Sequence, residues 1–66
     1  MKNTIRIQRA IKNITQAELA DLVQVSRQTI NTLESGKYIP STVLALKIAA
    51  VFGVAVEEVF QLEDGD

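Results

Sequence analysis

The chain contains neither cysteine nor histidine. Without cysteine no disulfide can staple a small fold, and without either residue the usual zinc ligand sets and nearly all nucleophile–base pairs are excluded. The lack of cysteine also gives no sign of an oxidising compartment. A long hydrophobic run is missing too: the nearest candidate, VLALKIAAVFGVAV, is broken by Lys47 and falls short of the roughly 18 residues that a membrane span needs. Met1 leads into a charged segment rather than an apolar signal region, so the expected location is cytoplasmic. No pair of carboxylates is arranged for acid–base chemistry, which argues against an enzyme, and nothing in the composition calls for a cofactor, a metal or a small-molecule ligand.

What is present is 66 residues, close to the lower limit at which one core holds a chain together unaided. Stability therefore has to come from packing, within the chain or against a second copy. The formal net charge of −1 hides an uneven distribution. Residues 1–39 carry Lys2, Arg6, Arg9, Lys12, Arg27 and Lys37 against Glu18, Asp21 and Glu34; residues 40–66 carry Lys47 against Glu57, Glu58, Glu63, Asp64 and Asp66. Such a molecule offers one half to a polyanion and repels it with the other.

Helix punctuation divides the chain into five segments of one domain, residues 1–66, with no repeat or linker. The spacing of Ile7, Ile11 and Ile14 predicts a first helix from about Asn3 to Lys12, ended by Asn13 in a left-handed conformation. Residues 15–18, TQAE, form a capping box that opens a second helix, with Leu19, Leu22 and Val23 as its inner stripe and small Ala20 beside them. Ser26 caps a third helix running from residue 27 to about 35, which Gly36 ends. Only Gln24, Val25 and Ser26 separate the second and third helices, so the two must meet at a sharp angle. Pro40 stops any preceding helix, and Ser41 caps a fourth, residues 42–52, whose surface is apolar almost all round and is expected at the centre of the fold. Gly53 closes it, and residues 56–61 read as a short fifth helix with Glu57 and Glu58 near its positive end.

The third helix poses a question. Ile30 and Leu33 recur at core spacing, yet its outward positions carry Gln28, Asn31, Thr32 and Ser35, which are not the residues of an ordinary solvated helix. At roughly 100° per residue from Ile30, Gln28 and Thr32 lie almost opposite the core, with Ser35 nearby and Asn31 on the flank. Side chains that both donate and accept hydrogen bonds can match the base edges of the DNA major groove: Gln and Asn suit adenine, and Arg27 suits guanine.

TQAELADLVQVSRQTINTLESGKYIPS, with an Arg seven residues before Gln16 and the closing LALKIAAVFGV, resembles in order and spacing the helix-turn-helix of the phage repressor and Cro type of bacterial DNA-binding domain. The likeness covers residues 3–62, with the helix-turn-helix at about 16–35, and implies an all-α, compact five-helix domain. Some very short members add an antiparallel β pair from their termini, and residues 1–3 and 60–62 are the segments placed to do so here. In this resemblance Arg27, Gln28, Asn31 and Thr32 are base contacts, while Gln16, Thr29, Ser35, Lys37 and Tyr38 face backbone phosphates. Gln16 and Ala17 also sit at a helix N-terminus, where free N–H groups favour a phosphate. The resemblance further implies a buried ion pair between Arg9 and Glu34, with a structural role. Three positions depart from the pattern: Gln24 stands where Gly is common, Ala55 where a capping hydroxyl is usual, and Gln8 where an apolar residue is usual.

The implied activity is that of a transcriptional regulator specific for a double-stranded DNA operator, in its simplest form a repressor. A single copy would contact only half a site, so a homodimer is expected, with Ile7, Ile39, Val56, Val59, Phe60 and Leu62 as interface candidates. The alternatives are an antitoxin that binds a toxin and represses its own operon, and a protein-interaction module that uses the same fold without DNA.

Overall fold

The computed structural model describes residues 1–66, and the chain punctuation governs the helix boundaries. Helices α1 (Ile5–Lys12), α2 (Gln16–Val23), α3 (Arg27–Glu34), α4 (Thr42–Phe52) and α5 (Val56–Val59) follow one another, bracketed by strands β1 (Lys2–Asn3) and β2 (Phe60–Gln61). The two strands pair antiparallel, Lys2 opposite Gln61 and Asn3 opposite Phe60. The architecture is therefore the five-helix domain with a terminal β pair that the sequence indicates. The fifth helix is shorter than expected, because residues 60 and 61 leave it to pair as strand.

Each cap has a local chemical cause. Thr15 accepts from the Glu18 N–H while Glu18 accepts from the Thr15 N–H at 2.9 Å, completing the capping box. Ser26 and Ser41 accept from the N–H groups of Thr29 and Leu44. Asn13 and Gln24 take left-handed backbone conformations at the ends of α1 and α2, with φ of 56° and 63°, and Gly53 does so after α4. Ala55 supplies no side-chain cap to α5, and only Glu58 reaches back to its N–H, at 2.8 Å.

The entry into α1 is set by distant partners instead. The Asn3 side chain accepts from the Ile5 N–H at 3.1 Å and donates to the Leu33 carbonyl at 2.8 Å. The Thr4 hydroxyl donates to the Glu58 carbonyl, and the Thr4 N–H donates to that of Val59 at 2.8 Å. These contacts hold residues 2–4 out of the helix and start it at Ile5, not at Asn3 as local spacing suggests.

The core joins Ile5, Leu19, Ala20, Val23, Ile30, Leu33, Leu44, Ile48, Ala49, Phe52 and Val59, with Ile14, Val25, Val51, Val54, Val56 and Phe60 packed around it. Burial on α1 is newly settled, and the expectations for Leu22 and for α4 are corrected. On α1 the inward side is set by Ile5 and Arg9; Ile7 and Ile11 lie roughly 200° and 240° round from Ile5 and are exposed. Leu22 stands on the flank of α2 and is 61% exposed rather than part of the inner stripe. Helix α4 is central along one side only, because Val43, Leu46, Lys47 and Ala50 form its solvent face.

Candidate nucleic-acid interface

An isolated eight-residue helix is too short to persist in water, since nucleation alone defeats segments below about 12 residues. Helix α3 exists because Ile30 and Leu33 are enclosed by the core, each burial contributing about 1.5 to 3 kcal/mol. The Ser26 cap fixes its first turn, and the Asn3 amide holds its last. The opposite side is then left to solvent: Arg27, Gln28, Asn31 and Ser35 are exposed, Thr29 and Thr32 half-exposed.

Between α2 and α3 the three-residue turn brings the helices into contact, and Ala20 of α2 is buried. A methyl group there lets the axes approach, as a larger side chain would not. Gln24 takes the left-handed conformation that the turn requires, and Lys47 Nζ reaches its Oε1 at 3.4 Å from α4. Val25 packs against the core beneath the turn.

Four of the residues singled out in the sequence converge. Gln28, Thr29, Thr32 and Tyr38 line one shallow depression of about 190 Å³ on the outer side of α3. Lys37 and Tyr38 follow the helix in an exposed loop, and neither Arg27 nor Lys37 has an acidic partner within salt-bridge distance. Three hydroxyls are already committed: Thr32 donates to the Gln28 carbonyl at 2.9 Å, Ser35 to the Thr32 carbonyl at 2.7 Å, and Thr29 is 3.0 Å from the Ser26 hydroxyl.

Gln16 differs from the expectation. Its amide nitrogen lies 3.0 Å from Glu34 Oε1 and 3.4 Å from Asn31 Oδ1, so the side chain is turned toward α3 and its donors are occupied. The groups it leaves for an anion are backbone ones. The N–H groups of Gln16 and Ala17 have no partner within the protein, as first-turn donors of α2.

Arg9 and Glu34 meet between α1 and α3. Arg9 Nε donates to Oε2 at 2.6 Å and Nη2 to Oε1 at 3.2 Å, while Nη1 donates to the Ile14 carbonyl at 3.0 Å. The Glu34 side chain is 1% exposed. Burial pushes its carboxyl upward, but hydrogen bonds from Arg9 and Gln16, with the charges of Arg9 and Arg6, hold it below the ordinary carboxylate range. The hydrogen bond to Glu34 keeps the Arg9 guanidinium the more firmly protonated.

Sequence reasoning passed over Arg6, Asn3 and the Gln16–Asn31 contact. Arg6 Nε stands 3.6 Å from Glu34 Oε1, and its position one turn before Arg9 was the available signal. Asn3 offered none, because its partner is thirty residues away. Among the self-association candidates, Ile7, Ile39 and Leu62 are exposed, while Val56 and Phe60 are half-buried against the core. Val59 is corrected: it is wholly enclosed and has no surface to offer a second copy.

The Helix-turn-helix family profile matches residues 5–59. The chain is 52% identical, over 66 residues covering the whole of both chains, to a Methanocaldococcus jannaschii protein called an uncharacterized HTH-type transcriptional regulator. It is 44% identical over 64 residues to the Bacillus subtilis HTH-type transcriptional regulator YgzD, covering 97% of each chain. An Archaeoglobus fulgidus protein of the same description is 50% identical over 64 residues, which cover 97% of this chain and 91% of the relative.

Proposed function

This chain belongs to the helix-turn-helix family, and on that premise we propose that it is a DNA-binding transcriptional regulator, not an enzyme, which reads an operator through the major groove with residues 27–35. The observation that carries the reading is the division of α3: Ile30 and Leu33 are enclosed, while Gln28 stands opposite and Arg27 on the flank, both exposed with free hydrogen-bonding ends. Arg27, Gln28, Asn31 and Thr32 contact base edges. The N–H groups of Gln16 and Ala17, with Thr29, Ser35, Lys37 and Tyr38, contact phosphates on either side.

The whole of residues 1–66 serves as one DNA-binding domain. Two copies bind a symmetric operator, and the regulator represses by occluding a promoter. Ile7, Ile39 and Leu62 supply exposed apolar area for self-association, with Val56 and Phe60 at its margin. No helix is long and apolar enough to cross a membrane. A second reading, an antitoxin that also neutralises a toxin, is favoured by the acidic residues of α5 and the tail, Glu57, Glu58, Glu63 and Asp64.

Titration of duplex DNA at several salt concentrations tests the reading. Specific binding weakens steeply as salt rises, and Gln28→Ala costs about 1 to 3 kcal/mol at one or two base pairs while leaving non-specific binding intact. An equal loss on every sequence would reduce Gln28 to a positioning contact.

A further inference from the structure

The buried ion pair and the outer side of α3 are joined by a chain of hydrogen bonds whose polarity is fixed from the inside. Glu34, 1% exposed and ionised, can only accept. Arg9 donates to both of its oxygens, and the remaining partner of Oε1 has to be another donor. Gln16 places Nε2 there at 3.0 Å, which leaves its Oε1 no alternative orientation, since a flipped amide would set oxygen against carboxylate. The second N–H on the same nitrogen faces Asn31 at 3.4 Å. Asn31 answers with Oδ1, because its own NH₂ there would meet another donor. The Asn31 amide nitrogen is consequently turned away from the protein, and nothing within the chain engages it.

We propose that Asn31 is a specificity-determining residue that reads guanine through an outward-facing amide NH₂, and that Gln16 is the positioning residue that fixes this orientation. The proposal rests on α3 entering the major groove. Adenine shows N7 and an N6–H₂ donor there, so its bidentate pairing with Asn needs both the amide oxygen and the amide nitrogen. Here the oxygen is turned inward toward Gln16 and the nitrogen is the end presented outward. Guanine shows two adjacent acceptors, N7 and O6, which suit an outward NH₂ group, and the N6–H₂ of adenine would oppose it. Asn31 thus departs from the adenine preference that its residue type suggests. Gln28, whose side chain makes no hydrogen bond within the protein, keeps both donor and acceptor.

Selection of binding sites from a random duplex pool, run with the wild type and Asn31→Ala, identifies the base pair that depends on Asn31. Guanine is expected there, preferred over adenine by about tenfold in the wild type. Replacing that guanine with 7-deazaguanine, which lacks the N7 acceptor, weakens wild-type binding severalfold and leaves Asn31→Ala unaffected. Gln16→Met, with its fold checked by circular dichroism, frees the Asn31 amide to turn, and the guanine preference falls below about threefold as adenine becomes acceptable. An adenine preference at the Asn31-dependent pair, a guanine preference unmoved in folded Gln16→Met, or no pair that depends on Asn31 would overturn the proposal while leaving DNA recognition intact. Failure of the wild type to enrich any sequence would remove both. The 7-deazaguanine measurement needs no variant at Gln16 and decides the matter if that variant does not fold.

Discussion

Replacing Arg9 with Leu strands a carboxylate. Glu34 would keep the Gln16 amide at 3.0 Å and the exposed Arg6 guanidinium at 3.6 Å, but would lose both Arg9 hydrogen bonds, and the Ile14 carbonyl would lose its Arg9 donor. Breaking one partner of a buried pair costs about 3 to 5 kcal/mol. Against a total stability of roughly 0.05 to 0.15 kcal/mol per residue, that is a large share for a 66-residue chain. A midpoint temperature lower by at least about 12 °C is expected.

The pH dependence gives this prediction its sign. In the wild type the Glu34 carboxyl sits below its ordinary value of 4.5, so its contribution is complete above that pH and is lost as the pH falls through the depressed value. In the variant, burial is opposed only by the Gln16 hydrogen bond and the Arg6 charge, so the carboxyl is expected to rise above its wild-type position. Acid then protonates the stranded group and relieves it, so the deficit relative to wild type is largest at pH 7 and narrows toward pH 4.5. Urea denaturation followed by circular dichroism at the two pH values measures both. A deficit below about 1 kcal/mol at pH 7, or one equal at both pH values, refutes the stranded charge. Removing both charges, as Arg9→Met with Glu34→Leu, is expected to recover more than half of the loss.

Three further outcomes follow from the geometry. Gln24→Gly, at a φ of 63°, is expected to raise stability by about 0.5 to 1 kcal/mol in urea denaturation; a loss would show that the Lys47–Gln24 contact outweighs the backbone strain. Lys37→Ala should weaken DNA binding by the same factor on all sequences and reduce the slope of log affinity against log salt by about 1, so a loss confined to the operator would count against a phosphate contact. Val59→Ala should cost about 1.5 to 3 kcal/mol without altering self-association, whereas Ile39→Glu should weaken self-association in sedimentation and leave monomer stability nearly unchanged; the reverse pattern would refute the assignment of core and surface.

The legible parts of the fold are those with local causes. Thr15, Ser26, Ser41, Asn13 and Gly53 each act within a few residues of themselves, and the boundaries they imply are the ones observed. The start of α1 was illegible because Asn3 and Thr4 are held by Leu33, Glu58 and Val59, partners that only the closed fold brings near. Which side of α1 faces in was illegible for a related reason. The isoleucines of that helix outnumber its inward positions, and periodicity finds a stripe without saying which stripe faces in. What decides is Arg9, whose partner Glu34 turns the Ile5 side inward and leaves Ile7 and Ile11 outside.

The candidate site shows the same division between what a residue is and what it is held to. The reading residues could be named from spacing, since a helix with two core anchors has only one far side. Their hydrogen-bonding sense could not, because it depends on partners outside α3. Glu34 dictates the amide of Gln16, Gln16 dictates that of Asn31, and the Thr32 and Ser35 hydroxyls are turned by carbonyls of their own helix. Strand β1, helix α1 and helix α2 therefore each hydrogen-bond α3 through a polar side chain, Asn3, Arg9 and Gln16, with Arg6 of α1 adding its charge beside Glu34. An eight-residue helix anchored by two apolar side chains could roll about its axis if packing alone held it. Directional bonds from three elements oppose that roll, so part of the specificity assigned to α3 is built into residues that never approach a base.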